Sequence, residues 1–108
     1  MELSVLTDAS GCTTLVVSGE VDMEGSDKLR TTGVTAIQAH DGQPLKVDLS
    51  AVTFLDSTGL GALIHLRNTT NDEPGALQLI DPSEPVRRVL ELTRLNDVFA
   101  ISERDRSA

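Results

Sequence analysis

Val47-Asp48-Leu49-Ser50-Ala51-Val52-Thr53-Phe54-Leu55-Asp56-Ser57-Thr58-Gly59-Leu60-Gly61 decides how the chain is read. A strand ends in it, a short apolar connection follows, and a helix opens at Asp56-Ser57-Thr58-Gly59. Just upstream, Leu45, Val47 and Leu49 alternate with Lys46 and Asp48, the pattern of a strand with one face buried and the other wet. Downstream, Leu60, Leu63, Ile64 and Leu66 make most of the circumference of a helix over 57–70 apolar, which predicts deep packing. A one-sided strand feeding a buried helix implies a sheet with helices on one side.

Working outward gives the same architecture. Residues 3–7 and 13–18 are short apolar-rich segments joined by the turn chemistry of Asp8-Ala9-Ser10-Gly11, a β-hairpin. Gly19-Glu20-Val21-Asp22 is expected to break the second strand. Leu29, Gly33, Ala36 and Ile37 then share one face of a helix over 26–40, with Ser26 or Asp27 as its cap. Asp41-Gly42-Gln43-Pro44 reads as a loop, and 71–75 ends the next helix. A strand over 76–80, a helix from Asp81-Pro82-Ser83 to about 92 and a short edge strand over 98–101 complete the chain. Pro85 is acceptable in a first turn, where its missing N–H loses no partner. The order β-β-α-β-α-β-α, with a final β, predicts an α/β fold. Its mixed, mostly parallel sheet has 4–5 strands joined by right-handed crossovers. Residues 1–108 read as one domain, with 103–108 a frayed tail.

Composition excludes whole classes of function. Net charge is −8, from 17 acidic and 9 basic side chains, which argues against nucleic acid and against an anionic membrane surface. No apolar run approaches a membrane span, and the N-terminus lacks a secretory pattern, so a cytoplasmic protein is expected. Aromatics are 2%, Phe54 and Phe99, so the core must be aliphatic. The single Cys12 rules out an intramolecular disulfide and a cysteine-built zinc site.

Little in the chain looks catalytic. Glu20 and Asp22 lack a histidine ligand and suit loop carboxylates better than a metal site. His40 and His65 have no nucleophile at recognisable spacing. Cys12 reads as a small filler, because no positive charge is near to activate its thiol. Gly59-Leu60-Gly61 lacks the spacing and lysine of a phosphate loop, so no nucleotide or other cofactor is expected. Arg87, Arg88 and Arg94 read as a solvated face. An aspartyl-phosphate receiver needs a late lysine, and the lysines are Lys28 and Lys46. What remains is the helix start. Asp56 or Ser57 can cap its free N–H groups, and Gly59 and Gly61 keep bulk away from Ser57. Spacing alone is satisfied by a helix cap.

Together, Gly19-Glu20-Val21-Asp22 and the fourteen residues from Asp48 to Gly61 resemble the STAS family, in particular the bacterial anti-sigma-factor antagonists. The ending Leu92-Thr93-Arg94-Leu95-Asn96-Asp97-Val98-Phe99 is similar to the family's too, so the resemblance spans nearly the whole chain. It implies a protein-binding switch and not an enzyme. The serine after the aspartate, here Ser57, would be phosphorylated by an anti-sigma factor that is itself a serine kinase of GHKL type. The unphosphorylated form would bind that kinase and free the sigma factor, and a serine phosphatase would reverse the modification. Asp22, Asp56, Thr58 and Gly59 map to the phosphosite surroundings. Leu55 and Thr58 stand where the family often has Met and Ser. The alternative is a non-switching STAS interaction module of a larger signalling or transport complex.

Overall fold

The computed structural model describes residues 1–39, 43–70, 73 and 75–103. Strands β1 (Glu2–Thr7) and β2 (Thr13–Val21) form the hairpin, followed by helix α1 (Met23–Ala39) and β3 (Leu45–Leu55). Helix α2 (Ser57–Thr69), β4 (Leu77–Ile80), α3 (Glu84–Leu92) and β5 (Ala100–Ser102) complete the order. The sheet runs β1-β2-β3-β4-β5. β1 pairs antiparallel with β2, and the other pairs are parallel. In a sheet whose spatial order follows the chain, right-handed crossovers put every helix on the same face.

Burial follows that geometry. Leu15, Val17, Val47, Leu49 and Leu79 are fully covered, and Leu29, Leu63, Leu66, Val86 and Leu90 meet them from the helices. Each such side chain contributes about 2 kcal/mol of hydrophobic stabilisation before entropy is charged against it. The core is aliphatic apart from Phe99; Phe54, the other aromatic, is 50% exposed. Gly33 lets α2 lie close on α1, because a Cβ there would stand 2.5 Å from Leu66 Cδ2.

The hairpin turn is held by Asp8, whose Oδ1 accepts from Ser10 N, Ser10 Oγ and Cys12 N. These bonds hold the Asp8 carboxyl below the ordinary carboxylate range, the Ser10 side chain contributing most. Gly11 supplies the positive φ, 89°, that the turn requires. Cys12 is buried, with Sγ 3.5 Å from Pro44 O.

Several expected boundaries are corrected. Gly19-Glu20-Val21 does not break β2: the strand absorbs Gly19, at φ 84°, through two register irregularities and continues to Val21. α1 starts at Met23, not Ser26, and its first turn is capped by Asp22, whose Oδ1 accepts from Gly25 N at 2.9 Å. β3 runs to Leu55, so the supposed connection after Leu49 is strand. Asp48 is not wet: it is 5% exposed, and its Oδ1 accepts from Ser50 N and Ser50 Oγ. The last strand lies at Ala100–Ser102, starting two residues and ending one residue later than expected. Arg87 is more than a solvated charge, since it bonds Pro82 O and pairs with Glu103. The expectations for His40, for the loop over 41–42, for 71–72 and 74 and for the tail beyond 103 lie outside the described residues.

Candidate functional site

The parallel pair β2·β3 builds the site. Val21 and Leu55 are its last ladder partners, so Asp22 and Asp56 leave the sheet side by side. Each then starts a helix and caps it with its own carboxylate. Asp56 adopts an extended backbone and its Oδ1 accepts from Thr58 N at 3.0 Å, Gly59 N at 3.1 Å and Thr58 Oγ1 at 2.5 Å. The Thr58 hydroxyl, then the Gly59 amide, hold the Asp56 carboxyl below the ordinary carboxylate range. The ambiguity between Asp56 and Ser57 as cap is resolved for Asp56.

That frees Ser57. It is the first helical residue of α2, it is exposed, and its hydroxyl makes no hydrogen bond among the described residues. Thr58, one residue on, is half-buried, and its hydroxyl contacts both Asp56 and Ser26 Oγ, the latter at 3.1 Å. Gly59 differs from what the sequence suggested. It is buried, and a Cβ there would stand 2.5 Å from Leu55 Cδ1 and 3.0 Å from Val21 Cγ1, so its role is packing under the site, not a bare surface. Gly61 is exposed, with open space where a Cβ would go.

An open groove of about 360 Å³ runs between α1 and α2 beside Ser57, bordered by Met23, Ser26, Asp27, Thr58, Gly61 and His65. Met23 is 68% exposed at its mouth. Phe54, paired with Glu20, presents a second exposed apolar group three residues before Ser57. Met23, Ser26 and Phe54 are site residues beyond those expected from the sequence. The signal for Ser26 was its spacing of four from Asp22, which places it over the carbonyl of the capping residue. Among the described residues, no group of three or more His, Cys, Asp or Glu is placed to hold a metal. No helix among them is long and apolar enough to cross a membrane.

Comparison with known proteins bears on the family and the fold. Residues 5–101 match a family model described as "Mlab, STAS domain". The anti-sigma-B factor antagonist of Bacillus subtilis is 33% identical over 86 residues, 80% of this chain and 77% of that protein. The crystal structure of an anti-sigma factor antagonist from Mycobacterium paratuberculosis superposes with TM-score 0.76 at 31% identity, covering 94% of this chain and 86% of that one. The anti-sigma factor antagonist SpoIIAA in its unphosphorylated form has the same fold, with TM-score 0.80 at 19% identity over 97% of this chain and 90% of that one. SpoIIAA in its phosphorylated form has it as well, with TM-score 0.75 at 18% identity over 97% and 93%. With a matching family model over most of its length and this fold beneath it, the chain belongs to the STAS-domain family.

Proposed function

We propose that this chain is an anti-sigma factor antagonist whose docking is switched by phosphorylation of Ser57. The observation that carries the reading is the exposed Ser57 hydroxyl, unbonded among the described residues, at a helix start where Asp56 already accepts from Thr58 N and Gly59 N and beside the α1 start where Asp22 accepts from Gly25 N. The names of the relatives support the antagonist role. The partner is an anti-sigma factor acting as a serine kinase of GHKL type. Ser57 Oγ attacks the γ-phosphorus of ATP held by that kinase, ADP leaves, and the hydroxyl proton is released.

The physical effect is electrostatic and steric. A phosphoryl group adds about −1.5 to −2 charge at Ser57. Asp56 already occupies the anion position of α2 by accepting from Thr58 N and Gly59 N. The new charge therefore stays at the surface beside two carboxylates, where desolvation and like-charge crowding oppose a close interface. A penalty of about 3 kcal/mol weakens docking roughly a hundredfold. A serine phosphatase restores the binding form. The chain itself needs no cofactor, acts in the cytoplasm and catalyses no step.

The test is a paired capture from an extract of the source organism, with Ser57→Ala and Ser57→Asp proteins as bait and mass spectrometry as readout. The alanine protein retains a GHKL-type kinase and the aspartate protein loses it. Equal retention of the same proteins by both would leave a constitutive interaction module of a larger assembly.

A further inference from the structure

Three hydroxyl contacts lie in line at the two helix starts, and one of them, between Ser26 and Thr58, joins α1 to α2. Ser26, at 5% exposure on α1, donates its hydroxyl to Asp22 O at 2.6 Å. Its oxygen lies 3.1 Å from Thr58 Oγ1 on α2, and Thr58 Oγ1 lies 2.5 Å from Asp56 Oδ1. The line from Asp22 O through Ser26 and Thr58 to Asp56 thus runs from the end of β2 to the end of β3. A carbonyl and an ionised carboxylate only accept, so two hydroxyl protons are shared among three contacts and one contact at a time is oxygen against oxygen without a proton. Whichever way the protons are shared, the Thr58 oxygen is enclosed between two other oxygens. The Ser57 oxygen, one residue earlier in the chain, makes no hydrogen bond among the described residues.

We propose that Ser26 and Thr58 form a latch that fixes the α1 start against the α2 start and leaves Ser57, of the neighbouring hydroxyls of Ser57 and Thr58, as the one presented for phosphorylation. The proposal rests on the switch described above and names two positioning residues for it. Phosphoryl transfer needs the attacking oxygen in line with the phosphorus, at near-contact distance, so an ångström of play at the α2 start is costly. The latch supplies that registry, because Ser57 has no side-chain bond of its own to orient it. It also discriminates: a kinase that reached Thr58 would first have to break its hydroxyl's bond to Asp56 and pull its oxygen out from beside Ser26.

The test incubates full-length proteins with ATP and an extract of the source organism as the kinase source. Phosphosites are mapped by fragmentation mass spectrometry and folding is checked by far-UV circular dichroism. The wild type is expected to carry phosphoryl at Ser57 and none at Thr58, and Ser57→Ala to carry none at either. Thr58→Val and Ser26→Ala should slow Ser57 modification roughly tenfold, an ångström-scale misplacement being worth up to a hundredfold. The double variant should be no slower than the worse single one, and Thr58→Ser, which keeps the hydroxyl, should return the rate to near wild type. Folded Thr58→Val and Ser26→Ala proteins reacting at the wild-type rate, or phosphothreonine in Ser57→Ala, overturn the latch alone. A wild type that takes no phosphoryl overturns the switch and the latch with it. Amide resonances of Thr58 and Gly59 give an independent readout: they should shift in Ser26→Ala, and if they stay in place the two helix starts are not coupled.

Discussion

Asp22 and Asp56 do the same work at adjacent helix starts, but they are bound differently. Asp22 accepts one backbone N–H through Oδ1, whereas Asp56 Oδ1 takes two N–H groups and a hydroxyl. The depressed Asp56 carboxyl carries a definite sign. Its contribution to stability is complete above the ordinary carboxylate range and is lost as pH falls through the lower folded value. Asp56→Asn keeps an acceptor for the cap but has no such proton. Its acid unfolding curve is therefore expected to be flatter than that of the wild type, followed by circular dichroism, and parallel curves would contradict the assignment. Phe54 makes the second residue-scale prediction. A half-exposed aromatic contributes little to the fold but has the properties of an interface anchor. Phe54→Ala should weaken capture of the anti-sigma factor by roughly tenfold or more, about 1.4 kcal/mol, with an almost unchanged melting temperature; unchanged affinity would remove it from the docking surface.

Glycines in the two helices separate packing from docking at the scale of elements. At Gly33 a Cβ would meet Leu66, so Gly33→Ala should overpack the α1·α2 contact and destabilise by about 1–3 kcal/mol. At Gly61 nothing stands in the way, so Gly61→Ala should raise stability by about 0.5–1 kcal/mol. The same methyl would sit in the groove beside Ser57, so the more stable protein is expected to bind its partner less well. Thermal melts and a binding titration of the two variants decide this, and a Gly61→Ala protein that gains stability and keeps full affinity refutes the docking role. Helix faces such as Leu29-Gly33-Ala36 and Leu60-Leu63-Leu66 were legible because helical spacing survives any placement in the fold. The full length of β3 was not. Its pairing with β2 slips between Val16 and Ser18 and again between Gly19 and Glu20, which moves the buried residues from Leu49 to Val52 to Leu55 and destroys the two-residue period. The start of α1 was missed for a related reason: Gly25 and Ser26 look like loop residues, yet both are buried where α1 begins. The helix start at Asp56-Ser57 was readable, but the groove was not, since it exists only where two crossovers bring α1 and α2 together.

For the whole molecule, a net charge of −8 sets how it meets others. Glu20, Asp22, Glu24 and Asp27 are exposed around the α1 start, with Asp56 half-buried beside them, so a partner with a basic docking face is steered toward this rim. The association rate is expected to fall roughly tenfold between about 0.02 and 0.3 M salt while dissociation changes little, measured by stopped-flow. A salt-independent rate would mean that the rim does not face the partner. The strand order has a separate consequence, for how the chain is made. Each strand lies beside the one before it in the sequence, so no strand has to be inserted between two that are already paired. Each parallel pairing closes over a single strand-helix-strand unit, as Thr13 with Leu45 and Leu45 with Leu77. A growing polypeptide can therefore lay down its sheet in the order in which it leaves the ribosome, with the two helix starts that frame Ser57 in place before the last strand is synthesised.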